Sequence, residues 1–178
     1  MDTARIPRIP RFPEAAARGS VEIRTNPETA YGTVSDPLVM AGLAEETYRA
    51  RWLGGVATSV PGARFRGYNR HGVRRWVTTC RITDVEPGRR FAYEVTASPL
   101  RIPISRWQYD IEPAADGGCT VTETNWLRVP LWFIPAAVLI TGVLNRPGVN
   151  RSHINTTLQR LKSRLEGASA RPEPTEAN

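Results

Sequence analysis

Glu123 is the residue whose setting says most about chemistry. It lies in Cys119–Leu127, a stretch whose alternation reads as a strand, and it shares parity with Val121. Two placements compete. Facing inward with Val121, its carboxyl would sit among apolar side chains, where lost hydration raises the pKa and equips it as a general acid or base. Facing outward, it would pair with an outer arginine while Thr122 and Thr124 line the interior. Tyr93 and Tyr109 are candidate donors to a carbonyl, because a buried phenol needs a partner, although core packing accounts for them equally. Arg74 shares parity with Trp76 near a strand end. There its forked donors would hold a carboxylate or phosphate, or it would be a solvated arginine flanking a turn. Asn150 heads a helical stripe and points toward the sheet, whereas His153 falls to one side of that stripe, a boundary position.

Other chemistries lack their residues. No Ser/His/Asp set, paired carboxylates, Gly-rich phosphate loop or metal-spaced cluster is visible, so no cofactor and no metal are expected. Cys80 and Cys119 match neither a metal nor a redox spacing and read as buried free thiols. The net charge of +7 suggests a polyanion at first sight. Yet the charge is almost all arginine, with Lys162 the only lysine, and it alternates along strands without any stacking or groove-reading motif. Nucleic-acid binding is not expected. Residues 1–19 hold no continuous apolar run of the secretory type, so the expected location is cytoplasmic.

These residues need elements to position them. Residues 1–19 form a Pro/Arg-rich tail in which Ile6, Ile9 and Phe12 alternate with arginines and prolines at a spacing of three, the polyproline II period. It reads as a semi-rigid tail, or as a strap on the domain or on an anionic membrane. The domain proper is expected over 20–167, with 168–178 disordered. A first strand at 20–24 leads to two short helices, 27–34 and 37–44, each announced by a capping residue before a proline: Asn26-Pro27 and Asp36-Pro37. Strands at 47–53, 63–69, 73–85, 90–97, 104–112 and 119–127 follow, joined by turns too short for parallel crossovers. Residues 129–144 are apolar but shorter than the ~20 residues of a membrane span, and Pro130 and Pro135 interrupt them. Pro147-Gly148 reads as a break or kink. Beyond it Ile154, Thr157, Leu158, Leu161 and Leu165 mark one face of a long helix.

Alternation places Tyr48, Ala50 and Trp52 on one face with Trp76, Thr78, Cys80 and Ile82. Phe91, Tyr93 and Val95, then Trp107, Tyr109 and Ile111, continue it. The reverse face carries Arg49, Arg51, Arg75, Arg81 and Arg106, which reads as a solvated outer surface. Seven strands at ~4.8 Å spacing span roughly 33 Å, while one helix covers ~10 Å. The sheet must therefore curl around the helix and leave space filled by large side chains or by a ligand.

That order of elements resembles the START-like, Bet v 1-like (SRPBCC) superfamily, and within it the polyketide cyclase/dehydrase and lipid-transport group. The resemblance spans about 20–166. It rests on Val34-Ser35-Asp36-Pro37, Arg51-Trp52-Leu53-Gly54-Gly55, Gly62-Ala63-Arg64-Phe65-Arg66-Gly67 and Arg75-Trp76-Val77-Thr78-Thr79-Cys80. Asp84-Val85-Glu86-Pro87-Gly88, Thr120-Val121-Thr122-Glu123 and the closing helix from Asn150 add to it. It implies an α+β helix-grip fold: a curved antiparallel sheet of six to seven strands around a long C-terminal helix, with two short helices after the first strand.

Fold and residues together lead to the expectation of a cavity that binds a small hydrophobic or aromatic ligand of the lipid, polyketide or quinone class. Its expected lining is Tyr48, Arg74, Trp76, Tyr93, Trp107, Tyr109, Glu123 and Asn150. An aromatase/cyclase-like enzyme acting on a polyketide is the alternative, though no catalytic residue carries over from the resemblance. A module binding a partner through the tail and residues 129–144 is a third. No transmembrane span is expected, peripheral contact with a membrane is left open, and the oligomeric state is not indicated.

Overall fold

Alternating aromatic and arginine residues build a seven-stranded antiparallel sheet in the computed structural model, which describes residues 14–169. The elements are β1 (Ala17–Ile23), α1 (Pro27–Val34), α2 (Pro37–Ala41), β2 (Thr47–Leu53), β3 (Arg64–His71), β4 (Arg74–Glu86) and β5 (Arg90–Ala97). Then come β6 (Ile102–Pro113), β7 (Cys119–Leu127), a 3-10 turn (Leu131–Phe133), α3 (Ile134–Thr141) and α4 (Arg146–Ser169). The strand order is β1-β7-β6-β5-β4-β3-β2. This is the α+β helix-grip arrangement implied by the sequence. Ile6, Ile9 and Phe12, and the residues after Ser169, lie outside the described range.

The sheet bends where an extra residue is inserted. Register shifts fall between Thr47 and Arg49, between Ile82 and Asp84, and between Val95 and Thr96. Each such bulge raises the local twist and bends its strand, so the three together curl β2–β6 into a trough. The first bulge corrects the sequence reading of Tyr48. Because Tyr48 is the inserted residue, Thr47 and Ala50 face the trough, while Tyr48 is 43% exposed and lies beneath the Arg70 guanidinium, 5.6 Å from its ring centroid.

The helix starts follow from their caps. Asn26 Oδ1 accepts the Thr29 amide at 2.8 Å, and Asp36 Oδ1 accepts the Leu38 amide at 2.8 Å. Pro147 does not break α4, contrary to the sequence expectation. It occupies the first turn, where no amide hydrogen is required, and the Asn145 Oδ1 accepts the Gly148 amide at 3.1 Å. β1 likewise starts at Ala17, inside the segment expected to be tail.

α4 lies off centre, packed on β1 and β7. The approach depends on Gly19: a Cβ there would stand 2.8 Å from Ile154 Cγ2. Ile82, Val121, Leu158 and Leu161 make a closed core between α4 and the end of the sheet that carries the β4–β5 turn, with Phe91 and Val34 of α1 at its border. The outer face is less uniformly solvated than its arginines suggest. Arg106 is only 4% exposed and donates to Thr83 at 2.8 Å, Asp84 at 2.9 Å and Gln108 at 3.0 Å.

Candidate functional site

Since α4 covers only the β1–β7 side, the trough of β2–β6 needs another cover. α2, the 3-10 turn, α3 and the N-terminal part of α4, from Arg146 to Thr157, supply it. Between this cover and the strands lies a cavity of about 680 Å³, within the ~300–1,000 Å³ range of small-molecule sites. Its walls are mostly apolar. Trp76, Tyr93, Trp107 and Tyr109 line it from the sheet, Phe65 from β3, and Phe133 and Val138 from the cover.

Glu123 takes the inward placement. It is 3% exposed, in the cavity wall, where Tyr109 Oη donates to its Oε1 at 2.8 Å. The register explains the meeting, because Tyr109 and Glu123 are direct cross-strand partners on β6 and β7. Tyr93, on the neighbouring strand, interacts with the Tyr109 hydroxyl, so three polar side chains form one chain across β5, β6 and β7. Burial pushes the Glu123 pKa up to about 8, and the Tyr109 hydrogen bond offsets only part of that rise. Burial, reinforced by the nearby carboxyl, holds the Tyr93 and Tyr109 hydroxyls well above the usual phenol range. At neutral pH Glu123 is therefore a neutral acid. Its Oε2 is buried and has no partner among the described residues.

Asn150 also reaches the cavity, but its amide is engaged. Its Nδ2 donates to Asn125 Oδ1 at 2.7 Å, and Asn125 Nδ2 donates to the Arg106 carbonyl at 3.2 Å. This buried pair ties the head of α4 to β7. Arg74 lies outside the lining. It is exposed and its Nε donates to the Leu139 carbonyl at 3.1 Å, which sets it against the end of α3 and not in the cavity wall.

Two polar groups in the wall were not picked out from sequence. Thr47 donates to Asn69 at 2.7 Å, and Asn69 donates to Thr78 at 3.1 Å, across β2, β3 and β4. Asn69 shares parity with Phe65 and Gly67, so alternation along β3 was the available signal. At the cavity rim Arg146 clasps Glu46 through two hydrogen bonds of 2.7 and 2.5 Å, with His71 at 3.8 Å and His153 at 4.0 Å from the same carboxylate. Burial lowers the His153 pKa. Residues so far apart in the chain leave no local motif.

Among the described residues no group of His, Cys, Asp and Glu has the geometry to hold a metal ion. No single helix there is long and apolar enough to cross a membrane, and the 3-10 turn with α3 meets α4 at a 56° bend.

A curled sheet with a polar chain inside a mostly apolar cavity has the make-up of a small-molecule site. Residues 14–166 match the family described as polyketide cyclase / dehydrase and lipid transport, and the chain belongs to that family. No curated protein matches it in sequence. Solved structures share the fold at low identity. The di-domain ARO/CYC StfQ from the steffimycin biosynthetic pathway aligns with a TM-score of 0.66 at 13% identity, over 86% of this chain and 51% of that one. A conserved protein from Geobacillus kaustophilus gives 0.61 at 15% identity, covering 85% and 95%. A protein from Deinococcus radiodurans gives 0.59 at 18%, covering 85% and 98%.

Proposed function

We propose that this protein binds a small hydrophobic or aromatic molecule bearing a carbonyl or similar acceptor, of the lipid, polyketide or quinone class. The observation that carries this reading is the free Oε2 of Glu123 in the wall of an apolar cavity. A neutral carboxyl there offers one donor to a ligand acceptor, while Trp76, Trp107 and Phe65 supply apolar area. A ligand with no acceptor at this point would leave the acid's proton unbonded, so the group selects as well as binds.

Mass spectrometry of material extracted from the purified protein tests the ligand class. Titration with an aromatic ketone, in the wild type and in Glu123→Gln, tests the residue. Wild-type affinity should fall as pH rises through about 8, where the donor proton is lost, and Glu123→Gln should bind without that dependence. Identical profiles in the two proteins would overturn the reading.

A cyclase reading is favoured by the same residue. A buried acid with a pKa near neutrality is suited to proton transfer in either direction. In an aldol closure Glu123 would give its proton to a substrate carbonyl oxygen as the carbon–carbon bond forms, then regain one from the enol hydroxyl of the attacking arm. Turnover of a poly-β-ketone analogue that disappears in Glu123→Gln, with binding retained, would separate enzyme from carrier.

A further inference from the structure

The end of the sheet that holds the β3–β4 turn, the β5–β6 turn and the exit of β7 is unusual in what it shows to solvent. Antiparallel pairing brings all three together: His71 pairs with Arg74, Ala97 with Ile102, and Ser105 with Leu127. Each contributes exposed apolar side chains. Val73 at 95% exposure tips the first turn, Leu100 the second, and Leu131, Trp132 (72%), Leu139 and Leu144 (88%) project from the segment leaving β7. No residue of α3 is fully buried, although the helix is apolar all round. Scattered apolar residues need no explanation, but three separate segments meeting in one apolar tip do.

The charge around the tip has one sign. Arg70, Arg74, Arg75 and Arg101 are exposed beside it, and Arg70 and Arg75 are direct cross-strand partners, a like-charge pairing that costs stability. From Thr47 to Thr83 and from Thr124 to Leu165 the sequence has no Asp or Glu. The nearby carboxylates are taken up, Glu46 by Arg146 and Glu94 by Arg81 and Arg128. Apolar side chains, a tryptophan among them, ringed by arginines form the pattern that inserts into a headgroup layer while cations meet its anions.

We propose that this tip, built from Val73, Leu100, Leu131, Trp132, Leu139 and Leu144, docks the protein on the surface of a bilayer rich in anionic lipid. The proposal does not depend on what the cavity holds. Docking would set the cover of the cavity, α3 with its preceding turn, against the lipid.

Sedimentation of the full-length chain with vesicles tests it. The wild type should bind vesicles of equal parts phosphatidylglycerol and phosphatidylcholine, and bind pure phosphatidylcholine at least tenfold more weakly. Binding should drop at ~0.5 M salt, where the screening length shrinks. The triple variant Leu131→Ser/Trp132→Ser/Leu139→Ser should lose at least tenfold in vesicle affinity with its melting temperature retained, since all three side chains are exposed. Arg75→Glu/Arg101→Glu should abolish the preference for anionic vesicles without touching an apolar residue of the tip. Failure of the wild type to bind anionic vesicles overturns the proposal, as does binding that survives both sets of substitutions. Dimerisation through the tip, detected by sedimentation velocity in a protein that ignores vesicles, would assign the surface to a second copy and overturn it too.

Discussion

The same strands build two different interiors. Toward the β4–β5 turn, Ile82 and Val121 pack with Leu158 and Leu161 of α4, all fully buried and clear of the cavity, while Phe91 and Val34 of α1 close the cavity off on that side. Toward the β3–β4 turn, Trp76 and Trp107 face a 680 Å³ cavity, roofed by α3 and its preceding turn. The off-centre position of α4 produces the difference, because it fills the trough along β1 and β7 only. Stability therefore concentrates at the closed end, and adaptability at the open one. A cavity wall lacks packing partners on one side and gains correspondingly less dispersion energy.

The largest effect should come from cutting into the closed end. Leu161→Ala should cost about 2–5 kcal/mol in urea unfolding. Trp107→Ala, at the open end, should cost clearly less while weakening capture of an apolar probe. Equal costs would break the contrast.

Next in size is a pH effect from the buried acid between the two ends. The folded-state pKa of Glu123, about 8, exceeds the ordinary 4.5, so between those values the native state holds a proton that the unfolded chain has released. Stability contributed by this group is fully present below pH 4.5. It falls by up to about 1.4 kcal/mol per unit as pH rises toward 8. Glu123→Gln should remove that slope from a series of unfolding curves, and a slope unchanged in the variant would show that the carboxyl is ionised in the fold.

The rim clasp should matter less. Arg146→Ala should cost about 1–3 kcal/mol, since it strands a mostly buried Glu46 carboxylate. A double-mutant cycle with Glu46→Ala should return a coupling energy of the same sign, and a value near zero would reduce the clasp to surface decoration. Smallest of all is Leu144→Ser on the tip, expected within about 0.5 kcal/mol of wild type by thermal unfolding.

Much of the frame was legible because period-two alternation and capping residues are local. The rows Trp76–Ile82, Phe91–Val95 and Trp107–Ile111 carry enough apolar residues to set strand and face together, and Asn26-Pro27 and Asp36-Pro37 place both short helices. Tyr48 misled because a bulge inserts one residue, and parity counted along the chain cannot register the slip. Pro147 misled because a proline signals a break or a first turn depending on the cap before it, here Asn145. The side Glu123 takes was left between two placements, because Thr122 and Thr124 of the other parity are buried too, and its chemistry depends on Tyr109 lying opposite, a matter of register between strands. The Glu46–Arg146 clasp was beyond reach, since it joins residues 100 apart with no motif at either end.

The pairing of β1 with β7 imposes an order on biosynthesis. Ala17 pairs with Asn125, and β1 has no other strand beside it. At ~5–20 residues per second the first strand waits roughly 5–20 s on the ribosome before its partner exists. α4 comes later still, yet β1 and β7 pack beneath it. Until then the β1–β7 side of the sheet carries its apolar face uncovered. Nascent chains of this protein should therefore call on chaperones until α4 has emerged, and truncations that remove α4 should be recovered bound to them.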